Sequence, residues 1–126
     1  MKKANSVREL DVYQAAFALQ QDIFRVSKSF PREEMYSLTD QIRRASRSIG
    51  ANLSEAWSKR RYPAHFLSKL TDADGELRET QHWLTTAEAC EYLNADELTR
   101  LSEKAGTVGR QLGSMLNKYE SFCLDR

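Results

Sequence analysis

Proline is almost absent from this chain of 126 residues, standing only at positions 31 and 63. Elsewhere long helices are permitted, because no other residue both removes an amide donor and crowds the preceding turn. Cysteine is as sparse: Cys90 and Cys123 can build neither the disulfide frame of a small secreted domain nor a four-thiolate zinc site. No run of about 18 apolar residues occurs, which excludes an expected membrane span. The lysines of the N-terminal MKKANSVREL are followed by no apolar stretch of signal-peptide length. A soluble, cytoplasmic protein is expected. An excess of one charge is missing too, since 19 Lys and Arg face 18 Asp and Glu for a net charge of +1. Any electrostatic argument for nucleic acid must therefore be local. There is no phosphate-cradling glycine loop, no Walker motif and no G-x-S-x-G.

What is present is helical periodicity. With 40% hydrophobic residues, the chain has the size and composition of one domain, residues 1–126, around one core. Before Pro31, Leu10, Tyr13, Phe17 and Phe24 recur at helical spacing. After it, Leu38, Ile42, Ala45, Ile49, Leu53 and Ala56 follow at steps of four, three, four, four and three. Phe66, Leu70, Ala73, Leu77, Leu84 and Ala87 form a third series, and Leu98, Leu101, Ala105, Val108, Leu112, Leu116 and Tyr119 a fourth. Each fits a 3.6-residue period and none alternates in twos. Ser37 with Asp40 offers a cap for the second helix, Pro63 suits the first turn of the third, and Asn94 with Glu97 makes a capping box for the fourth. Short connections make successive helices antiparallel neighbours. The expected fold is all-α, an antiparallel up-down-up-down four-helix bundle. Cys90 and Cys123 then lie roughly 40 Å apart, at ~1.5 Å per helical residue, and form no disulfide.

The chain holds more apolar and small surface than one bundle requires. Val12, Leu19, Ile23 and Val26 make a second stripe on the first helix, away from Leu10, Tyr13, Phe17 and Phe24. It reads either as part of a wide core face or as a seam for self-association, and the second is the expectation. All five glycines fall inside predicted helices, at about 1 kcal/mol each relative to alanine. Charge is segregated as well. Residues 36–61 carry six basic and two acidic groups, while residues 71–97 carry eight acids against Arg78. The two helices could be solvated neighbours or the halves of a repeated head-to-tail contact.

Catalytic and metal chemistry find little support. Glu79 and His82 form an E-x-x-H, the spacing of di-iron bundles, but such sites need a second E-x-x-H and inward carboxylates. Both residues lie opposite the Leu70/Leu77/Leu84 stripe. No catalytic residue, metal, cofactor or small-molecule substrate is expected, and the protein reads as non-enzymatic. The second helix differs in kind. With Ile42 toward the core, Arg43, Arg44 and Arg47 project to the side or back together with Gly50, Ala51 and Ser54. Lys59, Arg60 and Arg61 extend the positive charge past the helix end. Guanidinium forks above small residues suit solvent, backbone phosphates or a partner's carboxylates. Candidate nucleic-acid contacts are Arg43, Arg44, Arg47, Lys59, Arg60 and Arg61. The candidate subunit interface is Val12, Leu19, Ile23, Val26, Gly50, Ala51 and Ser54.

The run Phe30-Pro31, Glu34, Tyr36, Leu38, Gln41-Ile42-Arg43-Arg44-Ala45, Ser48-Ile49, Ala51-Asn52-Leu53-Ser54-Glu55, then Glu76-Leu77 and Glu79-Thr80, carries a family resemblance. It resembles the small four-helix-bundle proteins encoded in intervening sequences of bacterial large-subunit ribosomal RNA, and the accessory variability protein of diversity-generating retroelements is similar to them. The likeness extends over about residues 10 to 120, departing from the pattern at Gly50, Ala56 and Ser58. It implies a homopentameric ring of bundles, and for the retroelement protein a basic surface that binds nucleic acid and a reverse transcriptase. Arg43 and Arg44 match its motif, whereas Arg47 is added by the helical geometry. The expected protein is a homo-oligomer, a pentamer by resemblance, with RNA or DNA as candidate partners. The alternative is a scaffold whose basic second helix serves its own subunit interface.

Overall fold

The computed structural model describes residues 4–125. Four helices carry the fold: α1 (Asp11–Ser27), α2 (Asp40–Ser58), α3 (Pro63–Ala89) and α4 (Ala95–Asn117). Short 3-10 turns lie at Val7–Glu9, Arg32–Glu34 and Tyr119–Phe122, a π-helical turn covers Met35–Thr39, and no strand occurs among the described residues. α1 packs on α2 and α4, and α3 packs on the same two, so the chain runs up, down, up and down around one hydrophobic cluster. No helix among the described residues is long and apolar enough to cross a membrane.

The periodic series of α2 and α3 are all buried, from Leu38 to Ala56 and from Phe66 to Ala87. On α4, Leu101, Ala105, Val108 and Leu112 are buried while Leu98, Leu116 and Tyr119 are half-buried. The α1 faces are the reverse of the expectation. Val12, Leu19, Ile23 and Val26, read as a seam for a second subunit, are at most 7% exposed and join Ala16 in the core. Leu10, Tyr13 and Phe24 are half-buried, and Phe17 is 47% exposed. Packing explains the inversion: helix axes 8–10 Å apart favour compact aliphatic side chains at the centre of the seam, and larger rings fit at its edge. Tyr13 and Phe17 accordingly stack on each other, ring centres 6.3 Å apart, at the edge of the core.

The helix ends follow local chemistry with one exception. Asn94 Oδ1 accepts from the Glu97 amide at 2.8 Å, and Glu97 Oε1 accepts from the Asn94 amide at 3.0 Å, completing the capping box of α4. Pro63 stands in the first turn of α3. The Ser37/Asp40 cap does not form. Helical backbone already runs through Met35–Thr39 as the π turn, so Ser37 lies within a helical segment rather than ahead of one. Cys90 is exposed at the α3–α4 turn, and the Cys123 thiol meets the Tyr119 carbonyl at 3.6 Å beyond the far end of α4.

α3 ends in a Schellman motif. The Tyr92 amide donates to the Ala87 carbonyl and the Glu91 amide to that of Glu88, both at 2.9 Å. This requires a left-handed residue at position 91, and Glu91 adopts φ 62°. A side chain in that region costs of order 1 kcal/mol that glycine does not incur. Glu91→Gly is therefore expected to raise the unfolding free energy by about 0.5 to 1 kcal/mol. Urea denaturation checks this, and a loss of stability would show that the Glu91 side chain contributes more than its backbone strain costs.

Candidate nucleic-acid interface

The outward face of α2 rises from the spacing that buries its other side. With Ile42, Ala45, Ile49 and Leu53 turned inward, Asp40, Arg44, Arg47 and Ala51 are exposed, and Arg43 and Ser48 flank them half-buried. Asp40, Arg43, Arg44, Arg47, Ser48 and Ala51 together line a shallow open depression of about 430 Å³.

The three arginines are held differently. Arg43 leans toward α1: its Nε donates to Ser27 Oγ at 2.8 Å, and its guanidinium carbon lies 4.8 Å from the centre of the Phe24 ring. Arg47 stands over the same ring at 5.4 Å, and Lys28 Nζ approaches it at 4.8 Å. Phe24 thus fixes a cluster of cations through its negative face. Among the described residues the Arg47 side chain makes no hydrogen bond and no ion pair. Arg44 leans the other way, to α3, where its Nη2 donates to Glu79 Oε2 and its Nη1 lies 3.7 Å from Glu76 Oε2. Burial pushes the Glu76 carboxyl above its ordinary pKa, against the opposing pull of Arg44, and Glu76 Oε2 is buried without a hydrogen bond. Part of the charge complementarity between α2 and α3 is thus satisfied within one chain, and Lys69 Nζ adds a 2.8 Å pair to Glu55.

The remaining candidates separate from this cluster. Lys59, Arg60 and Arg61 lie in the α2–α3 turn, twelve to fourteen residues past Arg47 and so roughly 20 Å along the helix. Arg60 is folded back over Trp57, 3.7 Å from its ring centre, and its Nε donates to the Trp57 carbonyl at 2.9 Å. Gly50 is not free for a partner. It is buried against α1, where a Cβ would lie 3.6 Å from Tyr13 Cε1 and 3.9 Å from Gln20 Oε1. Ala51 is exposed and Ser54 half-buried. The E-x-x-H splits: Glu79 turns to Arg44, while the His82 ring lies 4.9 Å from that of Trp83.

Two residues, one at this face and one between α1 and α4, are not foreseen by the sequence. Phe24 was assigned to the core, although its place one turn before Lys28 allows the cation contact. Asp22 was hidden among apolar neighbours; it is 3% exposed and binds α4 through Arg100 and Lys104. The paired basic groups four residues apart on α4 were the available signal.

The comparisons agree with the helical fold. The family model of the 23S rRNA-intervening sequence protein matches residues 8–114. A solved structure from Bacteroides thetaiotaomicron, described as a protein with unknown function from the S23 ribosomal protein family, is similar at TM-score 0.76 and 26% identity. The alignment covers 84% of this chain and 95% of that one. Among curated proteins, none matches. A helical bundle with the Gln41–Ala45 and Ala51–Glu55 motifs on its second helix, matched over most of its length, belongs to the 23S rRNA-intervening sequence protein family.

Proposed function

We propose that this protein is a non-enzymatic homo-oligomer that binds the phosphate backbone of RNA or DNA through the outer face of α2. The carrying observation is the depression lined by Arg43, Arg44 and Arg47, in which Arg47 has no carboxylate of its own. Phe24 and Ser27 hold Arg43 in place, so its guanidinium gives up little conformational freedom on meeting a phosphate. The exposed Phe17, stacked on the half-buried Tyr13, supports self-association through α1, and the family resemblance implies five copies. The pairing of Arg44 with Glu76 and Glu79 favours a second reading, in which the α2 face takes carboxylates of a neighbouring copy and the protein is a scaffold.

Arg47→Glu separates the two. It leaves every hydrogen bond and ion pair among the described residues in place, so the fold is retained. If the face binds phosphate, fluorescence anisotropy with a labelled RNA should show at least about tenfold weaker binding and a salt slope lower by about one. Light scattering should give an unchanged oligomeric mass. Dissociation of the oligomer would establish the scaffold reading, and undiminished binding would remove α2 as the site. A wild-type protein that stays monomeric at micromolar concentration would end the assembly proposal.

A further inference from the structure

One exposed aromatic ring stands in line with this face and takes no part in packing the bundle. Tyr36, in the π-helical turn ahead of α2, is 80% exposed. Tyr36, Asp40, Arg44, Arg47 and Ala51 are all exposed, at steps of four, four, three and four, and so form one continuous stripe. The Tyr36 carbonyl accepts from Gln41 Nε2 at 3.5 Å, which ties the π turn to the first residues of α2. Among the described residues the Tyr36 hydroxyl makes no hydrogen bond. Burial therefore does not account for the ring, and neither does a polar partner.

The order of chemistry along the stripe is informative: an aromatic face, then a carboxylate, then guanidinium groups. Asp40 stands one turn from both Tyr36 and Arg44 and lines the same depression as the arginines, where its carboxylate can accept a hydrogen bond from the edge of a nucleobase. Arg43, Arg44 and Arg47 begin about 10 Å past Tyr36, at ~1.5 Å per residue, where phosphates are favoured. In a duplex the bases are stacked on one another and their faces are closed. Inside a duplex a ring reaches a base face only at the cost of unstacking a base step, whereas an unpaired base offers its face directly.

We infer that the ligand of the α2 face is single-stranded, with an unpaired base stacked on Tyr36 while its neighbouring phosphates lie on Arg43, Arg44 and Arg47. This rests on the nucleic-acid reading of the same face and specifies the strand state that it selects. Tyr36→Ala, Tyr36→Phe and Arg47→Glu, each in the full chain, test it by anisotropy. The probes are a labelled 12-nucleotide single-stranded RNA and the same sequence as a perfect duplex.

Base–aromatic stacking predicts about tenfold weaker binding of the single strand by Tyr36→Ala and little change with Tyr36→Phe. The wild type should bind the duplex more weakly, and Tyr36→Ala should not alter that binding. If Tyr36→Ala holds the single strand as tightly as wild type while Arg47→Glu loses it, stacking is overturned and the basic face stands. If the wild type holds neither probe, the nucleic-acid reading fails and this inference with it. A fall in oligomeric mass with Tyr36→Ala would assign the ring to a protein contact instead.

Discussion

Asp22→Asn is expected to lower the unfolding free energy by about 2 to 3 kcal/mol at neutral pH, the largest effect of any polar substitution in this bundle. Asp22 is buried on α1 and faces α4, where Arg100 grips it twice, Nε to Oδ2 at 2.7 Å and Nη2 to Oδ1 at 3.0 Å. Lys104 Nζ adds a third bond at 2.9 Å, and Arg25 Nη2 lies 3.8 Å away. The Arg100 hydrogen bonds, with help from Lys104 and against the cost of burial, hold the carboxyl down to about 2. A fully buried pair broken on one side costs about 3 to 5 kcal/mol. Here the side chains of Arg100 and Lys104 are 45% and 34% exposed, so they can recover water when Asp22 is lost, which places the effect below that range.

The pH dependence carries the same signature. The folded pKa lies below the unfolded value of about 3.9, so the stabilisation is complete above pH 5 or so and is lost as pH falls through 4 toward 2. Wild type should lose about 2 kcal/mol more than Asp22→Asn between those limits, and the two should converge at the acid end. Urea unfolding at pH 7, 4 and 2.5 measures this. Parallel losses in the two proteins would show that Asp22 is not the group responsible. The contact also helps to set register: Arg100 and Lys104 are one turn apart on α4, and a one-turn slip of α1 would leave Asp22 with a single partner.

The extent to which this fold can be read from its sequence depends on how one-sided each helix is. In α2 and α3 every residue of the periodic series is buried, although Ser46, Gly50 and Thr80 are buried beside it and Trp57, Leu67 and Trp83 are half-buried off it. The capping box of α4 was legible because it depends on two side chains three residues apart and on nothing distant. α1 was not legible in this way. It carries apolar residues on two faces, and aromatic bulk pointed to the wrong one, because the choice between them is made by what α2 and α4 can accommodate. The start of α2 was misread for a related reason: a π turn has no simple repeat, so Ser37 resembles a cap when only its own chemistry is considered.

The candidate site divides along the same line. That Arg43, Arg44 and Arg47 share the outer side of α2 follows from helical geometry alone, and the depression they line agrees. Their division of labour could not be foreseen, since it depends on Phe24 and Ser27 from one neighbouring helix and on Glu76 and Glu79 from the other. Lys59, Arg60 and Arg61 are close to that cluster in sequence and distant in space, because the helix carries them roughly 20 Å away. Gly50 belongs to the α1–α2 contact and not to a free surface.

Gly75→Ala together with Gly113→Ala is expected to stabilise the isolated bundle by about 1.5 to 2 kcal/mol. Both glycines lie inside helices, and a Cβ at either would meet nothing within 4 Å. The bundle's own packing thus gives no reason for a residue that costs about 1 kcal/mol relative to alanine, and the two sites, on different helices with no shared neighbour, should add. At Gly109, by contrast, the new methyl would touch Leu77 Cδ2 at 3.5 Å, so part of its gain depends on that contact. Urea unfolding of the single and double variants measures the gain, and light scattering on the same samples gives it a second meaning. If the proposed ring forms and closes through surfaces that include Gly75 or Gly113, the added methyl groups fall in a subunit contact, and the double variant should dissociate more readily even as each bundle becomes more stable. If the mass is unchanged, the proposed assembly lies elsewhere, and Phe17, exposed beside the half-buried Tyr13 on α1, is the residue to alter next. A double variant that is less stable as a monomer would contradict the open space seen at both positions.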